Sequence, residues 1–233
     1  MKKQIITVDG PAGAGKSTVS RALALKFSYI YLDTGALYRA FAYKAKKERV
    51  SPNNDEELTL MGQRLDIRLE SGPDKQPSIF VDCEDITNSI RTEEISILAS
   101  TISARPYVRQ MLLTLQREVA AHGGVVAEGR DMGTVVFPDA DYKFFLDAAL
   151  IERAKRRYLE LVAKNGGCNY EQVKNDLVLR DKQDRERCLA PLIPAPDALV
   201  IDSTFMTAGE VVDKMMYFIN LKTPRSDSCI GQA

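Results

Sequence analysis

Gly10-Pro11-Ala12-Gly13-Ala14-Gly15-Lys16-Ser17-Thr18 lies between an apolar run, Ile5-Ile6-Thr7-Val8, and the segment Val19-Ser20-Arg21-Ala22-Leu23-Ala24-Leu25. The order is strand, glycine-rich turn and helix start, and the turn fits the phosphate-binding pattern GxxxxGK[ST]. Glycines let the backbone turn its amides around phosphate oxygens, and a helix N-terminus adds partial positive charge. Residues 10–18 are therefore expected to cradle a nucleoside triphosphate, with Lys16 reaching its β- and γ-phosphates. The Ser17 hydroxyl is expected to ligate Mg²⁺. A ligand-free glycine turn is the bland alternative, and the complete motif in its strand-to-helix setting argues against it.

The 233 residues suffice for one α/β domain with insertions. Lys plus Arg and Asp plus Glu both number 32, so the basic excess of a general nucleic-acid or membrane-surface binder is missing, and neither partner is expected. Cys83, Cys168, Cys188 and Cys229 form no CxxC pair and His122 is the only histidine, which disfavours a disulfide framework or a zinc site. Asp9 and the glycine loop interrupt the first apolar run too early for a signal sequence, and no stretch has the length of a spanning helix. A cytoplasmic protein is expected.

Beyond the loop, Tyr29-Ile30-Tyr31-Leu32 reads as a second buried strand ending in Asp33-Thr34-Gly35, with a helix from about Ala36. Ligands of open parallel sheets sit at the C-terminal ends of strands, which places Thr34, Tyr38 and Arg39 beside the loop. Thr34 is equally readable as a helix N-cap. Residues 51–104 change character. Leu65-Asp66-Ile67-Arg68-Leu69 alternates, Ser71-Gly72-Pro73-Asp74 supplies a turn, and Ser78-Ile79-Phe80-Val81 resumes, giving an antiparallel hairpin. A helix follows from Thr92-Glu93-Glu94. Pro106 opens another, with Arg105 and Arg109 one turn apart near its start, where the helix dipole favours an anion partner for one of them.

Val125-Val126-Ala127-Glu128 is again a buried strand with an acidic end, followed by Gly129-Arg130-Asp131-Met132-Gly133. Glu128 stands where a carboxylate helps to orient the Mg²⁺ shell, through water. Arg130 and Asp131 either pair with each other or present a donor fork and an acceptor to a ligand, and the strand-end position favours the ligand. The run Asp141–Asp147 is a further strand. It leads into a helix start on which Arg153, Arg156 and Arg157 share a face, with Glu152 one turn before Arg156. Gly166-Gly167 breaks that element. On the next helix Arg180, Asp184 and Arg187 form a stripe, a carboxylate between two guanidinium groups. Ala198-Leu199-Val200-Ile201-Asp202 supplies a last buried strand and residues 208–221 a closing helix, with 222–233 expected to fray.

The arginines, among them Arg39, Arg109, Arg130, Arg153, Arg157, Arg180 and Arg187, suffice for two phosphorylated ligands, a donor triphosphate and an acceptor phosphate. Transfer between bound phosphates needs alignment, charge neutralisation and exclusion of water, and no dedicated base. A kinase with a hydroxyl acceptor, of the shikimate type, would need a positioned carboxylate base and fewer arginines. A GTPase switch would need DxxG and NKxD motifs, and the chain contains neither.

The phosphate loop, Asp33-Thr34-Gly35-Ala36-Leu37-Tyr38-Arg39, the run Glu128-Gly129-Arg130-Asp131-Met132-Gly133-Thr134-Val135-Val136-Phe137-Pro138 and the segment from Arg180 to Arg187 together resemble the bacterial cytidylate kinases, in order and over nearly the whole chain. The resemblance implies ATP as donor, CMP or dCMP as acceptor, and a monomer. It implies that Thr34, Ser100, Arg109, Arg130, Asp131, Arg180 and Asp184 contact the acceptor, to which the strand-end position adds Tyr38. Asp184 would meet its sugar, and Ser100, Arg109 and Asp131 its cytosine edge. Arg39 and Arg187 would hold its phosphate or the transferred group. Lys16, Arg130, Arg157, Arg180 and Arg187 are the expected catalytic residues, with Arg153 and Arg157 also on the donor. The fold expected is a parallel-sheet P-loop core with helices on both faces (about 1–50, 105–150 and 195–221), an antiparallel acceptor-binding insertion (about 51–104) and a helical lid (about 151–194).

Overall fold

A computed structural model describes residues 3–71, 77–165 and 167–222. The chain runs β1 (Ile5–Asp9), α1 (Lys16–Phe27), β2 (Ile30–Asp33), α2 (Thr34–Lys47), α3 (Asp55–Gln63), β3 (Ile67–Ser71), β4 (Pro77–Val81), β5 (Glu84–Asp85) and α4 (Glu93–Ile102). It continues through α5 (Pro106–Val119), β6 (Val125–Gly129), a one-turn π-helix (Met132–Val136), β7 (Tyr142–Asp147), α6 (Leu150–Asn165), α7 (Tyr170–Glu186), β8 (Leu199–Asp202) and α8 (Ala208–Lys222).

Five strands form one sheet in the order β2-β6-β1-β7-β8, with every pairing parallel. The phosphate loop thus leaves the central strand. Register sets the strand ends level, with Asp9 opposite Gly129 and Phe145, and Asp33 opposite Glu128. The polar groups that terminate β1, β2 and β6 consequently emerge along one edge of the sheet.

Alternation along β6 explains the two layers. Val125 and Ala127 enter one apolar cluster with Leu37, Phe41 and Leu112 of α2 and α5, while Val126 enters another with Val19, Leu23 and Met215 of α1 and α8. A parallel strand covered by helices on both faces needs such a run of apolar residues. Each fully buried Leu, Ile or Phe contributes about 2 kcal/mol.

The second sheet, β3-β4-β5, is antiparallel, and Ile67 and Leu69 face Val81 and Ile79 in register. Its buried residues Ile67, Ile79, Val81 and Ile86 belong to the same cluster as Leu37 and Phe41, so it shares a core with α2. Local capping fixes the helices. The Ala36 amide donates to Asp33 Oδ1 at 3.0 Å, and the Ile95 amide to Thr92 Oγ1 at 3.3 Å.

Several expectations need correction. The strands β2 and β8, expected to be buried, lie at the two sheet edges, where Ile30 is 53% and Val200 54% exposed, because among the described residues no strand pairs beyond either. The α2 helix starts at Thr34, with Asp33 rather than Thr34 as its cap. Residues 51–104 contain, besides the hairpin and α4, a nine-residue helix with an acidic first turn, α3, and the two-residue strand β5. The turn at 72–74, Gly166, Cys229 and the tail beyond Lys222 fall outside the described residues, and Lys222 itself ends α8.

Candidate active site

Gly10 and Gly15 shape the loop after β1. Gly10 has φ +145°, and a Cβ there would lie 1.9 Å from the Leu146 carbonyl oxygen, so only glycine fits. Gly15, at φ 92°, caps α1 without a side-chain hydrogen bond, and the first turn of α1 carries no acidic residue. The positive end of that helix is therefore left for an external anion. The carbonyls of Pro11, Ala12 and Ala14 accept from Lys16 Nζ (2.7 Å), Arg153 Nη1 (3.1 Å) and Ser203 Oγ (3.1 Å).

The loop borders a cleft of about 900 Å³. Lys16, Ser17 and Thr18 line it together with Thr34, Tyr38, Arg39, Ser100, Glu128, Arg130, Asp131, Arg157, Arg180, Asp184 and Arg187. The structure thus gathers most of the residues singled out in the sequence from six helices and strands and their connections. Burial, then the charge of Arg130, pushes the Lys16 ammonium down to about 7. An added anion beside Nζ would favour its charged form.

Glu128 organises the inner wall. Its Oε1 accepts from Ser17 Oγ at 2.7 Å and from Tyr31 at 2.5 Å, and its backbone carbonyl from Thr34 Oγ1 at 2.7 Å. Thr34 is in this way fastened to β6. Burial and then the charge of Asp33 raise the Glu128 carboxyl above the usual range. Its Oε2 is buried without a hydrogen-bond partner, so the side chain has acceptor capacity left over. Among the described residues no group of three or more His, Cys, Asp or Glu is placed to hold a metal. A hydroxyl at Ser17 and a carboxylate with a spare oxygen at Glu128 are oxygen donors of the kind that Mg²⁺ takes beside a ligand's phosphates. Ser17 and Glu128 accordingly fit Mg²⁺.

Across the cleft the charged groups form crossed pairs. Arg130 and Asp131 do not pair with each other. Arg130 Nε donates to Asp184 Oδ2 at 2.7 Å, while Asp131 binds Arg109 and, at 3.4 Å, Arg187. Adjacent residues at a strand end point apart, and the tertiary fold selects their partners. Asp184 therefore joins Arg130 rather than lying between its helix neighbours. Burial lowers the pKa of Arg180 and Arg187, for Arg180 with Arg130 as the next cause, and Asp131 opposes the shift at Arg187. Arg39 is held by Asp33 at 3.0 Å.

Two expected contacts sit behind the cleft wall. Arg109 supports Asp131 and also donates to the Ser103 carbonyl at 3.2 Å. Arg153, 5% exposed, is taken up by the carbonyls of Ala12 and Ala148 and by Asp181 at 2.7 Å. Arg105 turns to Asn53 and Asp55. Arg21, Arg91, Ser96 and Arg156 also line the cleft. Of these only Arg156 lies on a helix face that the spacing of basic residues marks. Asp9 escapes sequence reasoning as well. Its buried carboxylate accepts from the amides of Met132 and Gly133, both at 2.8 Å, and burial pushes it up to about 6 against those two bonds.

The model of the cytidylate kinase family matches residues 6–221. The chain belongs to the cytidylate kinase family. It is 46% identical over 222 residues to the cytidylate kinase of Bacillus subtilis (strain 168), covering 95% of this chain and 99% of that protein. It is 44% identical over 223 residues to the cytidylate kinase of Desulfitobacterium hafniense (strain Y51), covering 95% of each. With the cytidylate kinase of Geobacter sulfurreducens it shares 47% identity over 211 residues, 91% of this chain and 90% of that one. Membership of the cytidylate kinase family makes the protein an enzyme, a nucleoside monophosphate kinase. Among its described residues no helix is long and apolar enough to cross a membrane.

Proposed function

We propose that the enzyme transfers the γ-phosphoryl group of ATP to CMP or dCMP, giving ADP and CDP or dCDP. The observation that carries this reading is the placement of two anion-binding groups on one cleft. The phosphate loop with Lys16 forms one, and Arg39, Arg130, Arg180 and Arg187 form the other. The donor's phosphates lie along residues 10–18, with Arg157 reaching them and Arg153 bracing the loop. The acceptor phosphate is met by Arg39, Arg130, Arg180 and Arg187. Thr34 and Tyr38 bound its site.

A phosphate acceptor is already anionic, so these side chains supply alignment and charge neutralisation rather than a base. Arginines around the transferred group stabilise the charge on its equatorial oxygens. Mg²⁺ at Ser17 and Glu128 would neutralise the β- and γ-phosphates when bound. Asp131, held from behind by Arg109, accepts from the cytosine amino group, Ser100 serves the rest of that edge, and Asp184 takes the sugar. Residues 51–104 act as the acceptor-binding insertion and 151–194 as the lid that excludes water. We further read the enzyme as a cytoplasmic monomer, which sedimentation would test.

The test of function is ATP turnover with CMP, dCMP, UMP, AMP and GMP side by side. CMP and dCMP are expected to lead, and preference for AMP or GMP overturns the reading.

A further inference from the structure

Glu93 stands where three segments meet. It opens α4 directly after the capping Thr92, so its carboxylate lies at the positive end of that helix. Its Oε2 accepts from Arg157 Nη2 of α6 at 2.9 Å, and its Oε1 lies 3.5 Å from Arg180 Nη1 of α7. The Glu93 side chain is 30% exposed, and ion pairs at such exposure contribute little to stability. Stability is therefore a weak reason for this arrangement, and the identity of the partners is a stronger one.

Arg157 and Arg180 both line the cleft. Arg180 Nε is buried without a hydrogen-bond partner, and among the described residues the ion pair of Arg180 is with Glu93. Arg157 has its other fork on Glu160 at 3.0 Å. Long guanidinium side chains lose much rotamer freedom when they are aligned on a ligand, and a fixed carboxylate behind them removes part of that cost beforehand. The same α4 presents Ser96 and Ser100 to the cleft. One acidic side chain thus connects the acceptor-side helix to two arginines of the lid.

We infer that Glu93 is a positioning residue for phosphoryl transfer, whose carboxylate aims Arg157 and Arg180 at the transferred group and ties their position to α4. The inference rests on the functional reading above. Glu93 touches no reacting atom and acts through the arginines.

The experiment is steady-state kinetics of Glu93→Gln and Glu93→Asp with CMP and ATP, alongside thermal melting. Glu93→Gln keeps the size and removes the charge. It is expected to lower kcat by roughly ten- to a hundredfold, the scale of a small misplacement of reacting groups, with both KM values changed less. Glu93→Asp is expected to recover part of kcat. Glu94→Gln, on the same turn but paired with exposed Lys46 at 2.5 Å, is expected to leave kcat unchanged. In an Arg157→Met, Arg180→Met background, Glu93→Gln should have little further effect. An unaltered kcat, a KM-only effect, or full additivity in that background overturns the inference. Failure of the wild-type enzyme to phosphorylate CMP overturns the functional reading beneath it, whereas wild-type turnover with an unaffected Glu93→Gln overturns the role of Glu93 alone.

Discussion

Asp184 on α7 accepts a hydrogen bond from Arg130 Nε at 2.7 Å, which fastens the helix over the cleft to the end of β6. Burial pushes the Asp184 carboxyl up, and Arg130, joined by Arg187 and Arg180, more than reverses this, so that its net direction is below the usual range. Arg130→Met leaves a carboxylate of 9% side-chain exposure without its partner and should destabilise the fold by about 3 kcal/mol. On the proposed mechanism it should also lower turnover on the order of 10³-fold. Adding Asp184→Leu is expected to restore most of the stability and none of the activity. Urea unfolding and kinetics of the single and double variants check this, and parallel recovery of both would contradict a catalytic role for Arg130.

Lys16 gives a pH dependence whose sign is fixed. Its pKa falls from 10.5 in the unfolded chain to about 7 in the folded one. Between those values the unfolded chain binds more protons, so the penalty for burying Lys16 is relieved as pH rises and is largest below about 7. Polyphosphate beside Nζ restores the proton. ATP binding at about pH 8 should therefore take up a proton and weaken as pH rises further. Calorimetry in buffers of different ionisation enthalpy should show uptake by the wild type and its loss in Lys16→Met. Equal uptake by both would place the proton elsewhere.

Asp131 is bonded to Arg109 and Arg187 and borders the cleft. Asp131→Asn keeps the shape and removes the charged acceptor. The KM for CMP should rise roughly 10- to 100-fold, the worth of a charged hydrogen bond, with the KM for ATP changed far less. An unaltered KM for CMP would remove Asp131 from the acceptor site.

Gly10→Ala combines a φ of +145° with a Cβ 1.9 Å from the Leu146 carbonyl oxygen. Leu146 is held in register with Ile201 of β8, and Gly10 directly follows the pairing of Asp9 with Phe145, so neither backbone moves without disturbing the sheet. The expected cost is at least about 4 kcal/mol, read as a loss of Tm or of soluble folded protein. Retention of the wild-type Tm would mean that the turn relaxes.

The phosphate loop and the strands β1, β6, β7 and β8 are legible because each is a short apolar run next to punctuation, and the glycine motif is contiguous. The five-strand order is not contained in any such run, and β2 illustrates the difference, an apolar segment that ends at the sheet edge. The cap at Asn54 followed by Asp55-Glu56-Glu57 is a readable start for α3, though the stronger hairpin signal beside it draws attention away. The two residues of β5 are too few for any periodicity. Among site residues, Lys16, Thr34, Arg130, Asp131 and Asp184 declare themselves by strand-end or helix-face position. Their partners do not. Helix spacing puts Asp184 with Arg180 and Arg187, whereas the packing of α7 over β6 gives it to Arg130. The bonds of Asp9 to the 132–133 amides and the ion pairs of Glu93 with Arg157 and Arg180 likewise depend on segments distant in sequence.

The apolar cluster that runs without a break from Phe41 of α2 to Ile79 and Val81 of the small sheet bears on how acceptor preference can change in such enzymes. Residues 51–104 are not a cassette. A chimera that exchanges this segment with that of a relative would expose or overfill half of a joint interior, and its α2 would have to be redesigned with it. On the proposed reading, alteration of preference is therefore open to point changes along the cleft and closed to transplantation of the segment, with side chains such as Ser100 and Asp131 as the practical unit of adaptation.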